Sequence, residues 1–484
     1  MPHKPSFTIS SNCTLPNKQP GQRKKDTDPI TLDYTLRDLY SDNDEGDLNT
    51  VLVYYPLQIE YNQKSSSAKF TYGYTLQDDD EKTASSTAMA ANMVPQRYAF
   101  SAGQMPLVIL DFNSNKQKEE NSKTCQIMDK LPAHHVDIHR TFAQLIPDQQ
   151  PALNFADSPE SISLDAGAQI AVLLPTDCLS HLPHLVHQET HYMLLSKRGL
   201  ALSGLPTPPS QIIDTCLIDS GDPILLKEDI AQMVGSIDKH RLPFMVKLPQ
   251  SISGMGTFAI STEAERDRAK TLFTAQLGAM LRQLNRSNHH LYPCSMVLQD
   301  FITGPVVALS LFVTKGGQAR FIACCEQLFD EQGHWIGGSI SYQQQAGLRE
   351  TFAAITEKVA AFLHSKGYHG PAGVDIVTDH RSGEQLIVDL NVRVTGTFHL
   401  GPLMGHYTQH GLFEAAMTTV DFPCSRDAFE ERFAHEIRNG SLIVSGWVHS
   451  ELSRLSHAAI TIGARNSYEL KECLEDIRTA GLRT

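Results

Sequence analysis

The sequence predicts a multidomain α/β protein, and three observations carry that expectation. The chain has 484 residues, more than one hydrophobic core usually organises. Short apolar, β-branched runs such as Thr50-Val51-Leu52-Val53-Tyr54-Tyr55 alternate with stretches of helical character. Late in the chain, a strand-like run places acidic, amide and guanidinium groups on alternate positions, which a plain amphipathic strand does not need.

The chain divides in order. Residues 1–45 are polar and rich in Pro, Lys, Asp and Ser, and read as a disordered tail. Residues 46–190 read as an N-terminal α/β domain. Its strands lie at Thr50–Tyr55, Leu107–Leu110 and Ile170–Leu174, with a loop over Gln77–Thr87 and a helix over His139–Ile146. A third region, 191–420, holds a helix over Lys197–Leu205 ended by Gly204 and Pro206, then a strand at Phe244–Lys247. A glycine-bearing loop follows at Ser251–Phe258, a long helix at Glu263–Leu284, and strands at Met296–Ile302 and Val306–Val313. The runs Gly373–Val377 and Gln385–Val392 read as a hairpin. A C-terminal α/β extension, 421–484, completes the chain.

Composition excludes several classes. Hydrophobic residues make up 41% and charged residues 20%, an ordinary globular balance. A formal net charge of -13 argues against a general nucleic-acid binder. Neither a membrane-spanning apolar run nor a signal-peptide stretch is found, so no membrane partner is expected and a cytoplasmic location is. The nine cysteines, with Cys324 and Cys325 adjacent, follow no disulfide or zinc spacing. His187-Gln188-Glu189-Thr190-His191 is H-x-E-x-H, not the H-E-x-x-H of zinc proteases. His181, His184, His187 and His191 therefore read as a polar helix face.

Three clusters carry chemistry. In Val388-Asp389-Leu390-Asn391-Val392-Arg393, strand alternation aims Asp389, Asn391 and Arg393 to one side. Asp375 joins them if the hairpin pairs. Two carboxylates and a carboxamide are hard oxygen ligands suited to Mg²⁺, and an arginine fork suits a phosphoryl group. Lys247 ends an apolar strand before Ser251–Thr257, whose Ser253, Gly254, Gly256 and Thr257 can present backbone N–H groups to phosphate. This is not a P-loop, since G-x-x-x-x-G-K-[ST] is absent. Gln299, Asp300, Phe301 and Ile302 lead an apolar strand into the Gly304-Pro305 turn and offer backbone groups to a flat base.

In this order the motifs resemble the ATP-grasp superfamily, over roughly residues 190–420. The resemblance implies an ATP-grasp fold of two lobes hinged at 299–302, behind an N-terminal pre-ATP-grasp domain. It implies ATP and Mg²⁺, with Mn²⁺ as an alternative ion. Lys197, before Gly204-Leu205-Pro206-Thr207-Pro208, corresponds to the family's first lysine, and Lys247 to its second. Lys247 and Arg393 are the implied catalytic residues, and Asp375, Asp389 and Asn391 the metal ligands. Lys197, Lys247, Ser253, Gly254, Gly256, Thr257, Gln299, Asp300, Phe301 and Ile302 are the implied nucleotide contacts. The chain departs from the family at Val306, where relatives often carry a ribose-binding glutamate, and at Asp389, where glutamate is usual.

The activity implied is ligation of a small carboxylate, such as an amino acid, to an amine through an acyl phosphate, with release of ADP and phosphate. Many relatives are dimers, so a homodimer fits the resemblance. An ATP-grasp phosphotransferase or carboxylase, and a non-catalytic nucleotide-binding module, are the competing expectations. Glu326 is a candidate for orienting the amine.

Overall fold

The computed structural model describes residues 29–41, 49–56, 67–72, 81–110, 131–250, 256–331, 333–451 and 453–481. Three sheets organise them. The first is parallel, in the order β3-β2-β1-β4: β1 (Thr50–Tyr54), β2 (Pro106–Leu110), β3 (Ala152–Ala156) and β4 (Gln169–Val172). All five residues of β1 are buried, as expected of a central parallel strand covered on both faces. The helix Glu81–Ala99 makes the crossover from β1 to β2.

The second sheet is antiparallel, in the order β5-β8-β6-β7: β5 (Ser210–Ile213), β6 (Phe244–Lys247), β7 (Thr257–Ile260) and β8 (Met296–Asp300). It carries its own core. Phe244, Val246 and Leu298 on the sheet meet Phe273, Leu277 and Leu281 of the helix Glu263–Leu281. That helix is started by a capping box between Thr262 and Glu265.

The third sheet has eight strands: β9 (Val306–Val313), β10 (Ala319–Phe329), β11 (Trp335–Ser341), β12 (Gly370–Thr378), β13 (Gln385–Asn391), β14 (Glu414–Phe422), β15 (Leu442–Ser450) and β16 (Leu455–Ala464). Their order is β13-β12-β9-β10-β11-β14-β16-β15. The expected hairpin is β12–β13, paired antiparallel with Asp375 opposite Asp389.

Four expectations need correction. The segment 29–41 is packed rather than a disordered part of the tail: Ile30, Leu32 and Leu36 are buried, and Ile30 exchanges backbone hydrogen bonds with Gln144 and Ile146. These few apolar residues were diluted by polar neighbours in sequence. The loop expected over Gln77–Thr87 overlaps the helix that begins at Glu81. The helix expected over His139–Ile146 lies earlier, at Leu131–Phe142. A C-terminal unit beginning at 421 cuts through β14, and β14 to β16 continue the same sheet that holds β12 and β13. No helix among the described residues is long and apolar enough to cross a membrane.

Candidate functional site

A cleft of about 670 Å³ opens between the second and third sheets, and it is lined by residues of both together with Tyr98 of the N-terminal region. Its volume lies within the range of small-molecule sites, roughly 300–1,000 Å³. Lys197, Lys247, Thr257, Gln299, Asp300, Phe301, Ile302, Asp375, Asp389, Asn391 and Arg393 all line it. Ser253 and Gly254 lie outside the described residues. Gly256 takes a left-handed backbone (φ +78°), and its carbonyl accepts from Leu248 N–H at 2.8 Å.

The third-sheet wall is built by register. Asp375 on β12 faces Asp389 on β13, and Asn391 faces Gly373. A bulge then falls at Val388, because Ile376 pairs with Ile387. A bulge re-aims the groups beside it, and here the Val388 carbonyl accepts from Lys247 Nζ at 2.7 Å. Asp375 sits in a buried place next to a like charge. Burial and Asp389 hold its carboxyl above the usual range, against a hydrogen bond from Gln327. Burial would raise Asp389 too, but Lys197 and Lys247 outweigh it and hold it low. The neighbouring carboxyls are thus pushed in opposite directions, Asp375 up and Asp389 down.

Both lysines already have protein partners. Lys197, on the short helix Lys197–Ala201, pairs its ammonium with Asp389. Lys247 Nζ also donates to Gln299 Oε1 at 2.7 Å. Burial lowers the Lys247 pKa to about 8, against the pull of Asp389. The Gln299 amide donates in turn to Ser210 Oγ at 3.1 Å. The side chain of Gln299 therefore positions Lys247 instead of standing free for a base. Asp300 spends its N–H on the Pro209 carbonyl at 2.9 Å, and its carboxylate faces His240 Nε2 at 3.3 Å. A flat ligand at the hinge would meet its carbonyl, not its N–H. Phe301 and Val306 present exposed apolar surface on this side. The hinge is tight: a Cβ on Gly304 would fall 1.8 Å from the Thr378 carbonyl oxygen, so only glycine fits.

Arg393 is 7% exposed and holds three hydrogen bonds. Its guanidinium donates to Asn391 Oδ1, to the Val394 carbonyl and to Tyr98 Oη, each at 3.2 Å. The carbonyl of Val392, just before it, accepts from His191 Nε2 at 2.7 Å. His191 is buried, and its pKa is lowered to about 4 by burial, so it is a neutral strut and not part of a polar helix face. Among the described residues, no group of three or more His, Cys, Asp or Glu is arranged to hold a metal alone. The described cysteines are free thiols.

Sequence reasoning missed Tyr98, Gln327 and His191 as parts of this site. Tyr98 belongs to the helix Glu81–Ala99, nearly 300 positions from Arg393 along the chain, and no local spacing links them.

A family model described as the ATP-grasp domain matches residues 271–397. No curated protein matches the sequence. Among solved structures, N5-carboxyaminoimidazole synthetase from Staphylococcus aureus, complexed with ADP, is similar at a TM-score of 0.48 and 11% identity, covering 88% of this chain and 96% of that one. L-amino acid ligase from Bacillus licheniformis is similar at 0.46 and 12%, covering 90% and 98%. Phosphoribosylamine–glycine ligase from Thermotoga maritima is similar at 0.46 and 11%, covering 89% and 97%. The matched segment runs from the long helix of the second sheet through the hinge to the strand pair bearing Asp375, Asp389, Asn391 and Arg393. Over this segment the chain matches the ATP-grasp domain.

Proposed function

We propose that the chain is a ligase: it uses Mg·ATP to turn a small carboxylate, such as an amino acid, into an acyl phosphate, then couples it to an amine and releases ADP and phosphate. The observation that best supports this is the meeting, in one cleft, of two lysines, the Asp375/Asp389/Asn391 row and a buried arginine. The donor chemistry fits Mg²⁺, which favours oxygen ligands and commonly leaves positions for phosphate oxygens. Asp389 already draws one cation, the Lys197 ammonium, to its carboxylate. Asp375, Asp389 and Asn391 would hold the ion. Bound there, it would supply charge neutralisation for the nucleotide phosphates.

The chain's own groups do the rest. Lys197 and Lys247 would exchange part of their protein partners for phosphate oxygens, which compensates the desolvation of Lys247. Arg393, already oriented by three acceptors, would offer its remaining edge to the phosphoryl group in transfer and to the acyl phosphate. Phe301 and Val306 would meet the nucleotide with apolar surface, so the 2′-hydroxyl finds no carboxylate at Val306.

The test is ADP release in Mg·ATP with pools of amino acids and small carboxylates, for wild type and Asn391→Ala in parallel. Stimulated release by the wild type, reduced about a hundredfold or more in the variant, is the expected result, since one lost electrostatic contact in the transition state costs that much. Equal turnover in both would remove Asn391 from the metal site. Tight nucleotide binding without any turnover would favour the non-catalytic module.

Lys247 adds a pH prediction. With the free-protein pKa at about 8, its ammonium is progressively lost above that pH. Binding an anion restores the proton, so nucleotide affinity should fall by up to about tenfold per pH unit above pH 8. Titration calorimetry at pH 7 to 9.5 would read this, with proton uptake visible in buffers of different ionisation heat. In Lys247→Met the slope should vanish.

A further inference from the structure

Two buried guanidiniums lie over the ring of Tyr98, which lines the cleft. Arg97 and Arg393 are 5% and 7% exposed, and neither has a carboxylate within ion-pair distance among the described residues. Between them stands one phenol. Tyr98 Oη accepts a hydrogen bond from Arg393 at 3.2 Å. The Arg97 guanidinium is wedged over the Tyr98 and Trp335 rings, at 5.0 and 5.3 Å from their centroids. Gly396 closes the wedge: a Cβ there would fall 2.7 Å from Trp335 and 3.3 Å from the Arg97 guanidinium carbon.

A phenol oxygen that accepts from one guanidinium still carries its own proton, which points away from that donor. Among the described residues no protein acceptor is recorded for it, and Tyr98 lines the cleft. The result is one exchangeable proton facing the cleft, on a phenol flanked by two guanidiniums that have no ion-pair partner among the described residues. Buried cations without counter-charge are costly, and a phenolate is the counter-charge that the site can generate.

We propose that Tyr98 is the catalytic base of the coupling step, taking a proton from the incoming amine, with Arg97 as a positioning residue that holds the phenol toward the cleft. The proposal rests on the ligase reading above. The balance is simple. The phenolate removes one proton from R–NH₃⁺ to give R–NH₂ and the neutral phenol. The nitrogen lone pair forms the C–N bond, the bond from carbon to the phosphate oxygen breaks, and the second nitrogen proton leaves with the phosphate. The phenol then returns its proton to water. Charges around the group favour this direction. Burial alone would raise the phenol, but Arg393 and Arg97 outweigh it and hold the pKa below that of ordinary tyrosine. Tyr54, on β1, is the other titratable group recorded against Tyr98, and burial pushes it well up, so it stays neutral.

Hydroxylamine separates the half-reactions, because it is largely unprotonated at neutral pH and attacks acyl phosphates without a base. The probes are Mg·ATP with an equimolar mixture of the twenty amino acids, with and without hydroxylamine, for wild type, Tyr98→Phe and Arg97→Gln. The expected result has two parts. In Tyr98→Phe, amide formation falls about a hundredfold, as for loss of a general base, while hydroxamate yield falls far less. In Arg97→Gln, the rising limb of the pH–rate profile for amide formation moves to higher pH. Equal loss of amide and hydroxamate in Tyr98→Phe would make the residue structural and overturn the proposal. So would a raised KM for the acid with an unchanged pH profile, which would mark an anion-binding site instead. A wild type that makes no hydroxamate at all would overturn the ligase reading itself.

Discussion

Replacing Arg393 with methionine should lower the rate of product formation by about 10²- to 10³-fold while nucleotide still binds, the usual cost of deleting one preorganised donor from a transition-state site. The reasoning is geometric. The guanidinium is already desolvated and fixed by Asn391, Val394 and Tyr98, so no reorganisation is needed when charge develops on the phosphoryl group. Arg393→Lys should rescue little, because one ammonium cannot replace a planar fork that donates in three directions and still faces the cleft. Single-turnover kinetics would locate the loss in the chemical step. A variant whose nucleotide affinity collapses while the bound-state rate survives would instead make Arg393 a binding group. Because Arg393 also donates to Tyr98, its loss and that of Tyr98 should be non-additive, which a double-mutant cycle would detect.

The second large effect is on stability. Trp447→Ala should cost about 3–5 kcal/mol, the range for truncating a large buried aromatic side chain. Trp447 on β15 is fully buried, stacked on Phe422 at 5.8 Å and tilted against Phe429 at 5.2 Å between ring centroids. Its backbone is clamped by a side chain of the N-terminal region. Gln96 donates to the Trp447 carbonyl at 2.8 Å and accepts from its N–H at 3.0 Å, while Thr141 donates to the same Gln96 oxygen at 2.9 Å. Gln96 lies one residue from Arg97 and two from Tyr98, so the far edge of the eight-stranded sheet helps to set where that helix sits. The urea midpoint of the variant should fall, a large loss against a typical total of about 5–15 kcal/mol. An unchanged midpoint would mean that β15 and β16 contribute little to the cooperative unit.

The sequence by itself determined whatever depends on near neighbours in the chain. Alternation over Asp389, Asn391 and Arg393 placed three groups on one side, because a strand sends every second side chain the same way. The runs before and after Asp379–Gly383 determined that Asp375 would face Asp389. Lys247 could be seen to end an apolar strand, and Gly304 to mark a turn beyond the hinge. The tertiary structure decided everything that needed distant segments to meet. Lys197 found Asp389, Lys247 found Gln299 and the bulged Val388 carbonyl, and Tyr98 found Arg393, across separations of 192, 52, 141 and 295 positions. It also decided that the last strands join the eight-stranded sheet instead of forming a unit of their own. The physical reason is the same in each case. Local pattern sets which face of an element a side chain occupies, but which charge or carbonyl stands opposite is set by strand order and by packing across the whole core.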